Sequence, residues 1–486
     1  MPKQKNNSDA LSQARKAKAK ENRVFSVILY LFFAMFLLMI GYFVYFMVFR
    51  SEDFINSPYN KRQDTFAVHV VRGSILSSDG QVLAETVTDE NGEETRQYPY
   101  GSVFAHAVGY AVNGKSGIES TANFNLLRSH ASFLKRLANG LSNEKNPGDQ
   151  VITTLDTTIQ QTAYNALGDY DGAVIVMEPS TGKILALVSK PDFDPNTIAE
   201  DWDDIVSDEG NSVLLNRATQ GLYPPGSTFK IFTSLEYYRE HGGDADYSYE
   251  CTGSISLGDL EIHCANHSIH GNEDLISSFA MSCNTSYANV GKSLNRESFA
   301  SLCKSLLFNS ELPSPYSYKE SSFTLTADST TGMAMQTAIG QGETLVTPLH
   351  MALVTSAIAN GGTLMEPYVI DHTENDEGVI VKEYEPTAYG VLMSSDESTF
   401  LQNYMRYVVT NGTAYALLDG NYTAYGKTGS AEYSSDKSTT HAWFTGYAQT
   451  EAKGTIVVTV IAEGGGGGSA VAVPIAQAVF DAYFAE

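Results

Sequence analysis

The sequence predicts an α+β protein that is held at a membrane by a single N-terminal helix and has a small pedestal domain before its main domain. Three observations support this fold class. A long uncharged stretch occupies residues 24–49. Strand patterns stand at both ends of the region 148–486, and helical patterns fill the part between them. Helices that are enclosed by strands in this way indicate an antiparallel sheet packed with helices.

Composition limits the classes of protein to which the chain can belong. Hydrophobic residues make up 43% of its 486 residues and charged residues 18%, which indicates a globular protein with a substantial core. The length fits two or three domains. The net charge of −25 argues against a nucleic-acid partner, because nucleic-acid-binding proteins present basic surfaces.

The N-terminus has the pattern of a membrane anchor. Residues 1–23 form a basic tail with seven Lys or Arg and two acidic residues, and residues 24–49 carry no charged side chain. About 20 apolar residues suffice to cross a bilayer as a helix. A cleaved signal peptide would have an apolar region of only about 7–15 residues. Since basic flanks stay in the cytoplasm, we expect a single-pass protein whose remaining chain lies outside the cell membrane.

Residues 50–147 are predicted to form the pedestal. The stretch RGSILSSDGQVLAET (72–86) alternates apolar positions around Asp79-Gly80, which predicts a hairpin. The stretch FNLLRSHASFLKRLANGL (124–141) has helical periodicity.

The region 148–486 is predicted to begin and end with strands. AVIVMEPSTGKILALVS (173–189) contains two apolar runs that are joined by a turn. Helical patterns dominate from about residue 225 to 360. The late stretches TAYGKTGSAEY, HAWFTGYAQ and GTIVVTVIAE have strand character, and PIAQAVFDAYF predicts a C-terminal helix that opens with Pro474.

A serine and a lysine at helical spacing stand at the start of the helical region. Residues 224–230 read PPGSTFK, and the turn Pro-Pro-Gly is followed by a helical pattern. Residues three apart share a helix face, so Ser227 and Lys230 are predicted to be neighbours. A serine hydroxyl becomes nucleophilic when a base takes its proton. A lysine serves as that base when burial or a second cation lowers its pKa.

The S-x-x-K spacing alone is not specific, because a serine can simply cap a helix beside a solvated lysine. The same spacing occurs five more times, at Ser132, Ser142, Ser180, Ser301 and Ser434. Two further motifs give the pattern its specificity. Ser282-Cys283-Asn284 is an S-x-N motif, and Lys427-Thr428-Gly429 is a K-T-G motif followed by Ser430. Their occurrence in this order within one predicted domain is the strong signal, although each motif alone could be a turn or a strand end.

With these motifs the sequence resembles the class B penicillin-binding proteins, which are monofunctional peptidoglycan D,D-transpeptidases. The resemblance also includes RGSIL (72–76), SGIE (116–119), IGQGETLVTPLHMA (339–352) and HAWFTGYA (441–448), and it covers almost all of residues 50–486. It implies a dimerisation-like pedestal at 50–147 and a transpeptidase domain at 148–486. We predict no cofactor and assign no metal ligand among the site residues.

The resemblance also implies catalytic roles. Ser227 would attack the carbonyl between the last two D-alanines of a peptidoglycan stem peptide, and Lys230 would take its proton. Ser282 would relay a proton to the leaving D-alanine. The backbone N–H groups of Ser227 and Ser430 would form the oxyanion hole.

Further positions would bind the substrate. Asn284 would hold the peptide backbone, and Lys427 would supply positive charge. Thr428 and Ser430, with Gly429 between them, would hold the terminal carboxylate.

The implied partners are stem peptides, β-lactams, the membrane and a polytopic glycan polymerase, because the pedestal is too short to hold a second catalytic domain. Two alternatives stay open: a D,D-carboxypeptidase or β-lactamase-like hydrolase, and a scaffold partner of a wall-synthesis complex. A role in cell shape, in division or in sporulation is not decided by the sequence.

The cysteines leave a further question open. In an external domain, Cys251 and Cys264 could form a disulfide. Together with His267 and His270 they also form a loose C-x12-C-x2-H-x2-H set, although zinc ligands are usually spaced more tightly. Free buried thiols are the third interpretation.

Overall fold

The N-terminal part of the chain is one long helix. In this computed structural model, the described residues are 3–50, 67–208, 210–244, 246–433 and 439–485. Two units are distinguished, Met1–Asn60 and Lys61–Glu486. Helix Lys3–Phe49 contains the stretch Phe25–Met47, which is long and apolar enough to cross a membrane. The predicted apolar N-terminal helix is confirmed, and it is the one helix of this kind among the described residues.

The second unit contains a five-stranded antiparallel sheet, which we call the central sheet. From one edge to the other its strands are Thr423–Glu432, Thr440–Thr450, Gly454–Ala462, Gly172–Met177 and Ile184–Lys190. All six residues of Gly172–Met177 are buried, as expected for a short, continuous apolar run in the middle of a sheet. The hairpin predicted at 173–189 and the three late strands are confirmed.

Helices cover both faces of the central sheet. The buried helix Pro348–Ala359 packs on one face, where the hydroxyl of Thr445 lies 2.7 Å from a threonine hydroxyl of this helix. The C-terminal helix Ala472–Phe484 packs on the other, where one of its phenylalanine rings lies 6.4 Å from the ring of Phe444. Phe444 and Thr445 are consecutive in a strand and therefore point to opposite faces. This arrangement confirms the predicted α+β class.

A six-stranded sheet, which we call the pedestal sheet, contains the hairpin predicted around Asp79-Gly80. Its strands, in spatial order, are Ile380–Glu383, Ile370–Glu374, Gln150–Thr153, Ile75–Leu76, Val82–Thr88 and Glu94–Gln97. Neighbouring strands are antiparallel except for the parallel pair Ile75–Leu76 and Gln150–Thr153. Two strands of this sheet therefore come from sequence far beyond residue 147.

A buried ion network lies beside the pedestal sheet, and we call it the pedestal network. The carboxylate of Glu119 accepts from Arg72 Nε at 2.6 Å and from Arg96 Nε at 2.7 Å. Tyr98 OH donates to the same carboxylate at 3.2 Å. Burial alone would raise the pKa of Glu119, but the two guanidiniums hold it below its usual value. RGSIL and SGIE, two of the stretches that carried the family resemblance, thus meet in this network.

The helix predicted at 124–141 is interrupted, so that prediction is wrong in its middle. The structure has helices Asn123–Leu126 and Phe133–Ser142. Between them, the backbone N–H of His130 donates to the carboxylate of Asp149 at 2.9 Å. A contact across the pedestal thus overrides the local helical periodicity.

Shorter elements complete the described part of the fold. The further α-helices are Ala105–Val108, Gly117–Thr121, Thr157–Leu167, Ile198–Ser207, Arg217–Gln220, Lys230–His241, Leu275–Ala280, Asn284–Ser293, Arg296–Ser305, Thr331–Ala338 and Ser395–Asn411. The 3₁₀ turns are Gly101–Phe104, Gly226–Phe229, Ala265–His267 and Tyr415–Asp419. The two-stranded sheets pair Val70–Val71 with Asn146–Pro147, Tyr249–Cys251 with Gly271–Glu273, Ser254–Leu257 with Leu260–His263, and Thr363–Met365 with Ala388–Val391.

Candidate active site

Ser227 lies in a tight turn between an edge of the central sheet and a buried helix. The turn Gly226–Phe229 is a 3₁₀ turn, and the α-helix begins directly after it, at Lys230. Gly226 has a positive φ of 53°, a conformation that favours glycine, and its N–H donates to the carbonyl of Gly340 at 2.9 Å. A Cβ added at Gly226 would lie 2.8 Å from the carbonyl oxygen of Ser430. The turn therefore fits closely against the K-T-G strand.

The predicted pairing of Ser227 with Lys230 is present. Lys230 Nζ lies 3.1 Å from Ser227 Oγ, which is within hydrogen-bond reach. The lysine is fully buried, whereas Ser227 is half-buried. Burial lowers the pKa of Lys230 to about 8, because the interior disfavours the charged amine. Close to neutral pH this amine can therefore accept a proton.

The S-x-N motif lies against the same amine. Lys230 Nζ donates to the carbonyl of Ser282 at 2.7 Å and to Oδ1 of Asn284 at 2.8 Å, and it lies 3.3 Å from Ser282 Oγ. Ser282 has a φ of +58°, which is uncommon for a residue with a side chain. This backbone geometry brings both its carbonyl and its hydroxyl to the lysine.

Lys427 is a second buried amine in this site. Its Nζ donates to Ser282 Oγ at 2.9 Å and to the carbonyl of Thr428 at 3.0 Å. Burial lowers the pKa of Lys427 well below its usual value, and the nearby Lys230 lowers it further. The hydroxyl of Ser282 therefore lies between two amines that burial drives toward the neutral form.

The rest of the K-T-G motif lies on the edge strand of the central sheet. Thr428 Oγ1 is 2.5 Å from Thr413 Oγ1, and Ser430 is exposed, with its Oγ accepting from the N–H of Gly468 at 3.3 Å. A Cβ added at Gly429 would lie 3.0 Å from Thr228 Cγ2, so glycine lets the strand approach the nucleophile turn. An edge strand offers its backbone to an extended peptide.

The structure thus brings together every residue that was predicted for the site, and the other S-x-x-K serines among the described residues have different surroundings. Ser180 Oγ donates to the carboxylate of Glu178 in a hairpin turn. Ser142 and Ser301 donate to carbonyls of their own helices. Ser132 precedes a helix of the pedestal, and Ser434 lies outside the described residues.

Sequence reasoning missed residues that hold the nucleophile turn from behind. Trp443 is fully buried and donates from Nε1 to the carbonyl of Pro224 at 3.1 Å. The carboxylate of Glu463 accepts from Tyr223 OH and from Arg217 Nε, each at 2.7 Å. No short motif marks Glu463, which is distant in sequence from Tyr223 and Arg217 and meets them only after folding.

The cysteines are arranged differently from the predicted set. Cys251, Cys264 and His270 come together, but their fourth neighbour is Cys283 of the S-x-N motif. The ring of His267 instead contacts the ring of His263 at 4.6 Å. The disulfide that the sequence allowed between Cys251 and Cys264 is not formed, and all four cysteines are free.

Two known protein families match residues of the second unit. Residues 172–481 match the penicillin binding protein transpeptidase domain. Residues 72–151 match the penicillin binding protein A dimerisation domain. The first match covers more than half of the chain.

Individual relatives match along most of their length. Peptidoglycan D,D-transpeptidase PbpA of Mycobacterium tuberculosis is 30% identical over 468 residues, which are 90% of this chain and 93% of the relative. Peptidoglycan D,D-transpeptidase MrdA of Acinetobacter baumannii is 27% identical over 449 residues, which are 80% of this chain and 66% of the relative.

Solved structures share the fold. The structure of penicillin-binding protein A from M. tuberculosis as a ceftriaxone acyl-enzyme has a TM-score of 0.78 and 27% identity, and the match covers 87% of this chain and all of that one. The D,D-transpeptidase domain of a peptidoglycan glycosyltransferase from Eggerthella lenta has a TM-score of 0.76 and 30% identity, over 85% of this chain and 97% of that domain.

Proposed function

The chain belongs to the family of penicillin-binding protein transpeptidases and is a peptidoglycan D,D-transpeptidase, and we propose which of its residues performs each step of this reaction. The observation that supports these assignments is the position of one buried amine. Lys230 Nζ lies 3.1 Å from Ser227 Oγ and 3.3 Å from Ser282 Oγ, so the same group reaches the proposed nucleophile and the proposed proton relay.

The first half-reaction forms an acyl-enzyme. Ser227 Oγ attacks the carbonyl carbon between the last two D-alanines of a stem peptide, and its proton passes to the neutral Lys230 amine. The C–N bond then breaks, and the leaving D-alanine takes a proton through the hydroxyl of Ser282. The backbone N–H groups of Ser227 and Ser430 would stabilise the negative oxygen of the tetrahedral intermediate.

The substrate lies along the edge strand in this proposal. Asn284 and the K-T-G strand would hold the peptide backbone, and Thr428 and Ser430 would hold the terminal carboxylate. Ser430 is exposed at this edge, as a ligand-binding hydroxyl must be. Lys427 would keep the region electropositive when it is protonated. Gly429 would let the substrate strand and the nucleophile turn lie close together.

The second half-reaction distinguishes a transpeptidase from a hydrolase. In the transpeptidase, an amine of a neighbouring stem peptide attacks the acyl-enzyme and forms a new amide, which releases Ser227. In a carboxypeptidase or β-lactamase, water takes the place of that amine. β-Lactams carry a reactive amide that Ser227 would attack in the same way, and the M. tuberculosis relative was solved as acyl-enzymes with such drugs.

We also propose the topology, the domain limits and one partner. Residues 1–23 would lie in the cytoplasm, 24–49 would cross the membrane, and 50–147 and 148–486 would form the external pedestal and transpeptidase domains. The helical apolar stretch Phe25–Met47 supports this anchor. A polytopic polymerase in the same membrane would supply glycan strands. Site-specific crosslinking from the anchor or the pedestal that recovers no such polymerase would refute the partner.

The first experiment is intact-mass analysis and peptide mapping of the full chain in detergent after incubation with a penicillin. We expect one stable adduct on the peptide that contains Ser227. It should be absent from Ser227→Ala and present in Ser180→Ala, which removes a serine with the same spacing in a remote turn. A short-lived adduct with rapid drug loss would favour the hydrolase. No adduct in folded protein would make the scaffold role the leading alternative.

A further inference from the structure

One helix of the pedestal has an apolar face that no described residue covers. Helix Phe133–Ser142, which we call the exposed helix, buries none of its residues, whereas each of the other described α-helices of the second unit buries at least one. Its four large apolar side chains, which we call the apolar stripe, are between 50% and 83% exposed: Phe133, Leu134, Leu137 and Leu141. Contiguous exposed apolar side chains mark a site of interaction with another molecule or with a membrane.

The apolar stripe lies along one side of the exposed helix. A helix turns by about 100° per residue, so the four side chains of the stripe fall within about 100° of its circumference. Lys135, Arg136 and Asn139 lie outside this arc. A helix with Leu and Phe on one face and with Lys and Arg on the remainder is typical of helices that lie in the interface between a membrane and water.

The charge around the exposed helix differs in sign from the charge of the whole chain. Residues 128–145 carry four basic side chains and one acidic side chain, hence a net charge of +3, whereas the chain carries −25. Lys135 pairs with Asp376, which leaves the exposed Arg136 to bind an outside partner. The local positive charge complements anionic lipid headgroups, which attract basic segments.

The pedestal sheet holds the exposed helix in place. The tip of the hairpin that joins the first two strands of this sheet contacts the helix and the residues before it. Asn375 in this tip donates from Nδ2 to the carbonyl of His130 at 3.3 Å, and Asp376 pairs with Lys135. The tip also exposes the apolar side chain of Val379. The apolar stripe is therefore presented by an ordered part of the pedestal, and a further apolar side chain is exposed in the tip beside it.

The exposed helix is close in the fold to the point at which the chain arrives from the anchor. Four residues after the helix, Asn146–Pro147 pairs with Val70–Val71, and the N–H of Asn146 donates to the carbonyl of His69 at 3.0 Å. His69 follows Phe49, the last residue of the anchor helix, by 20 residues. A chain of this length spans at most about 70 Å. The anchor therefore limits the distance of the exposed helix from the bilayer, which raises its effective concentration there.

We propose that the exposed helix binds the membrane surface, with the apolar stripe among the lipid acyl chains and Arg136 at anionic phosphate headgroups. A protein partner fits less well, because a standard protein–protein interface uses about 20–30 residues on each side and the stripe has four. A short helix suffices for lipid, since the anchor already holds the protein at the membrane. The anchor and this helix would attach the pedestal to the bilayer at two points. The inference rests on the proposed anchor and not on the catalytic assignments.

The first test measures whether the helix enters a bilayer. The full chain is reconstituted in nanodiscs that contain anionic phosphatidylglycerol and lipids with brominated acyl chains, which quench nearby tryptophan. Phe133→Trp should be quenched more than the unaltered chain. Tyr170→Trp, at an exposed aromatic residue before strand Gly172–Met177, should not. Nanodiscs of neutral phosphatidylcholine should reduce the quenching of Phe133→Trp severalfold. Equal fluorescence of Phe133→Trp with and without brominated lipid would overturn the proposal.

The second test removes the apolar stripe and the charge separately, in the Phe133→Trp chain. Leu134→Ser together with Leu137→Ser should abolish the quenching. Arg136→Gln should raise the fraction of phosphatidylglycerol that is needed for half-maximal quenching. Because all three side chains are exposed, the melting temperature should not fall, which distinguishes loss of the contact from misfolding. Quenching that survives the loss of both leucines would show that the anchor alone brings residue 133 to the bilayer, and the proposal would be wrong.

The third test distinguishes lipid from a protein partner in the cell. A photoreactive amino acid in place of Leu137 should crosslink to lipid, which mass spectrometry detects as a lipid adduct of the peptide. The same group in place of Val391, an exposed residue of strand Ala388–Val391, should not. A crosslink from position 137 to one protein would assign the stripe to that partner, and this outcome or the absence of any crosslink would refute lipid binding.

Failure of this inference can be told apart from failure of the proposed function. The chain with Leu134→Ser and Leu137→Ser should still form the Ser227 adduct with penicillin in detergent. Conversely, Ser227→Ala combined with Phe133→Trp should form no adduct and should still be quenched by brominated lipid. A chain that forms the adduct but shows no quenching would therefore contradict the membrane contact alone.

Discussion

The pedestal network and the catalytic cleft both bury charged groups, and they do so in opposite ways. In the pedestal, the carboxylate of Glu119 lies between the guanidiniums of Arg72 and Arg96, so opposite charges are paired. In the cleft, the amines of Lys230 and Lys427 share the hydroxyl of Ser282. The opposite charges of the pedestal network offset the cost of burying one another, whereas the two amines of the cleft do not.

The difference separates a stabilising cluster from a reactive one. Paired buried charges become strongly destabilising only when one partner is removed. Two buried amines side by side instead lose affinity for protons, which makes one of them available as a base at moderate pH. The pedestal is thus organised for rigidity, and the cleft keeps an unfavourable arrangement that its chemistry requires.

The largest effect is expected from Lys230→Gln. Removal of the proposed base should slow acylation by about 10²- to 10⁴-fold, the usual contribution of general acid–base catalysis. The melting temperature should stay equal or rise, because a poorly compensated buried amine is removed. Penicillin acylation rates and calorimetry measure both. Lys183→Gln, at the lysine of the exposed Ser180 motif, is the control. Near-normal acylation in Lys230→Gln would assign the base role to another group.

Glu119→Gln should instead lower the stability of the protein and leave acylation unchanged. It leaves two buried guanidiniums without their carboxylate and should remove about 3–5 kcal/mol from the free energy of unfolding. In the native protein this contribution is present above the unfolded pKa of the carboxyl and is lost as pH falls through its lowered folded pKa. Denaturant melts measure the loss, with Glu93→Gln in an exposed turn as the control. Folded Glu119→Gln should acylate normally. A stable variant would contradict the comparison.

The pH dependence of acylation sharpens the comparison. Because the pKa of Lys230 is lowered to about 8, the neutral amine dominates above that pH. The acylation rate should fall about tenfold for each pH unit below 8 and level off above it. Burial is the largest influence on the pKa of this amine and lowers it, whereas Cys283, Cys264 and Glu273 act in the opposite direction. A rate that is flat from pH 6 to 9 would contradict the role of Lys230.

The smallest effect is expected where opposite charges pair at the surface. Lys183 Nζ lies 2.9 Å from the carboxylate of Asp371, and both side chains are about one-third exposed. Lys183→Ala should change the free energy of unfolding by about 0–1 kcal/mol, since solvent screens such pairs. A double-mutant cycle with Asp371→Ala isolates the interaction. A coupling of several kcal/mol would mean that burial is not what distinguishes the pedestal network.

The parts that sequence predicted well are those whose signal is local. The hairpin at 173–189, the late strands and the relation of Ser227 to Lys230 all follow from spacing within a single element or turn. The three motifs predicted which residues meet in the site. The contacts at 2.7 Å that join Tyr223 and Arg217 to Glu463 could not be predicted in this way, because their partners are far apart in the chain.

The errors arose where tertiary contacts override a local pattern. The helical periodicity at 124–141 is interrupted because the backbone of His130 bonds to Asp149. The approach of Cys283 to Cys251, Cys264 and His270 was missed for a related reason. Cys283 was assigned only as the middle residue of the S-x-N motif, and nothing in the spacing shows that its side chain points toward Cys264.

The pedestal sheet has a consequence for how the protein is made. Strand Gln150–Thr153 is synthesised long before Ile370–Glu374, the strand with which it pairs. During synthesis, that strand therefore presents an unpaired edge, a site at which other chains can pair wrongly. The late partner pairs through residues on both sides of the register shift at Ile370/His372. The pedestal sheet thus becomes complete only when the chain has been synthesised as far as its last strand, Ile380–Glu383.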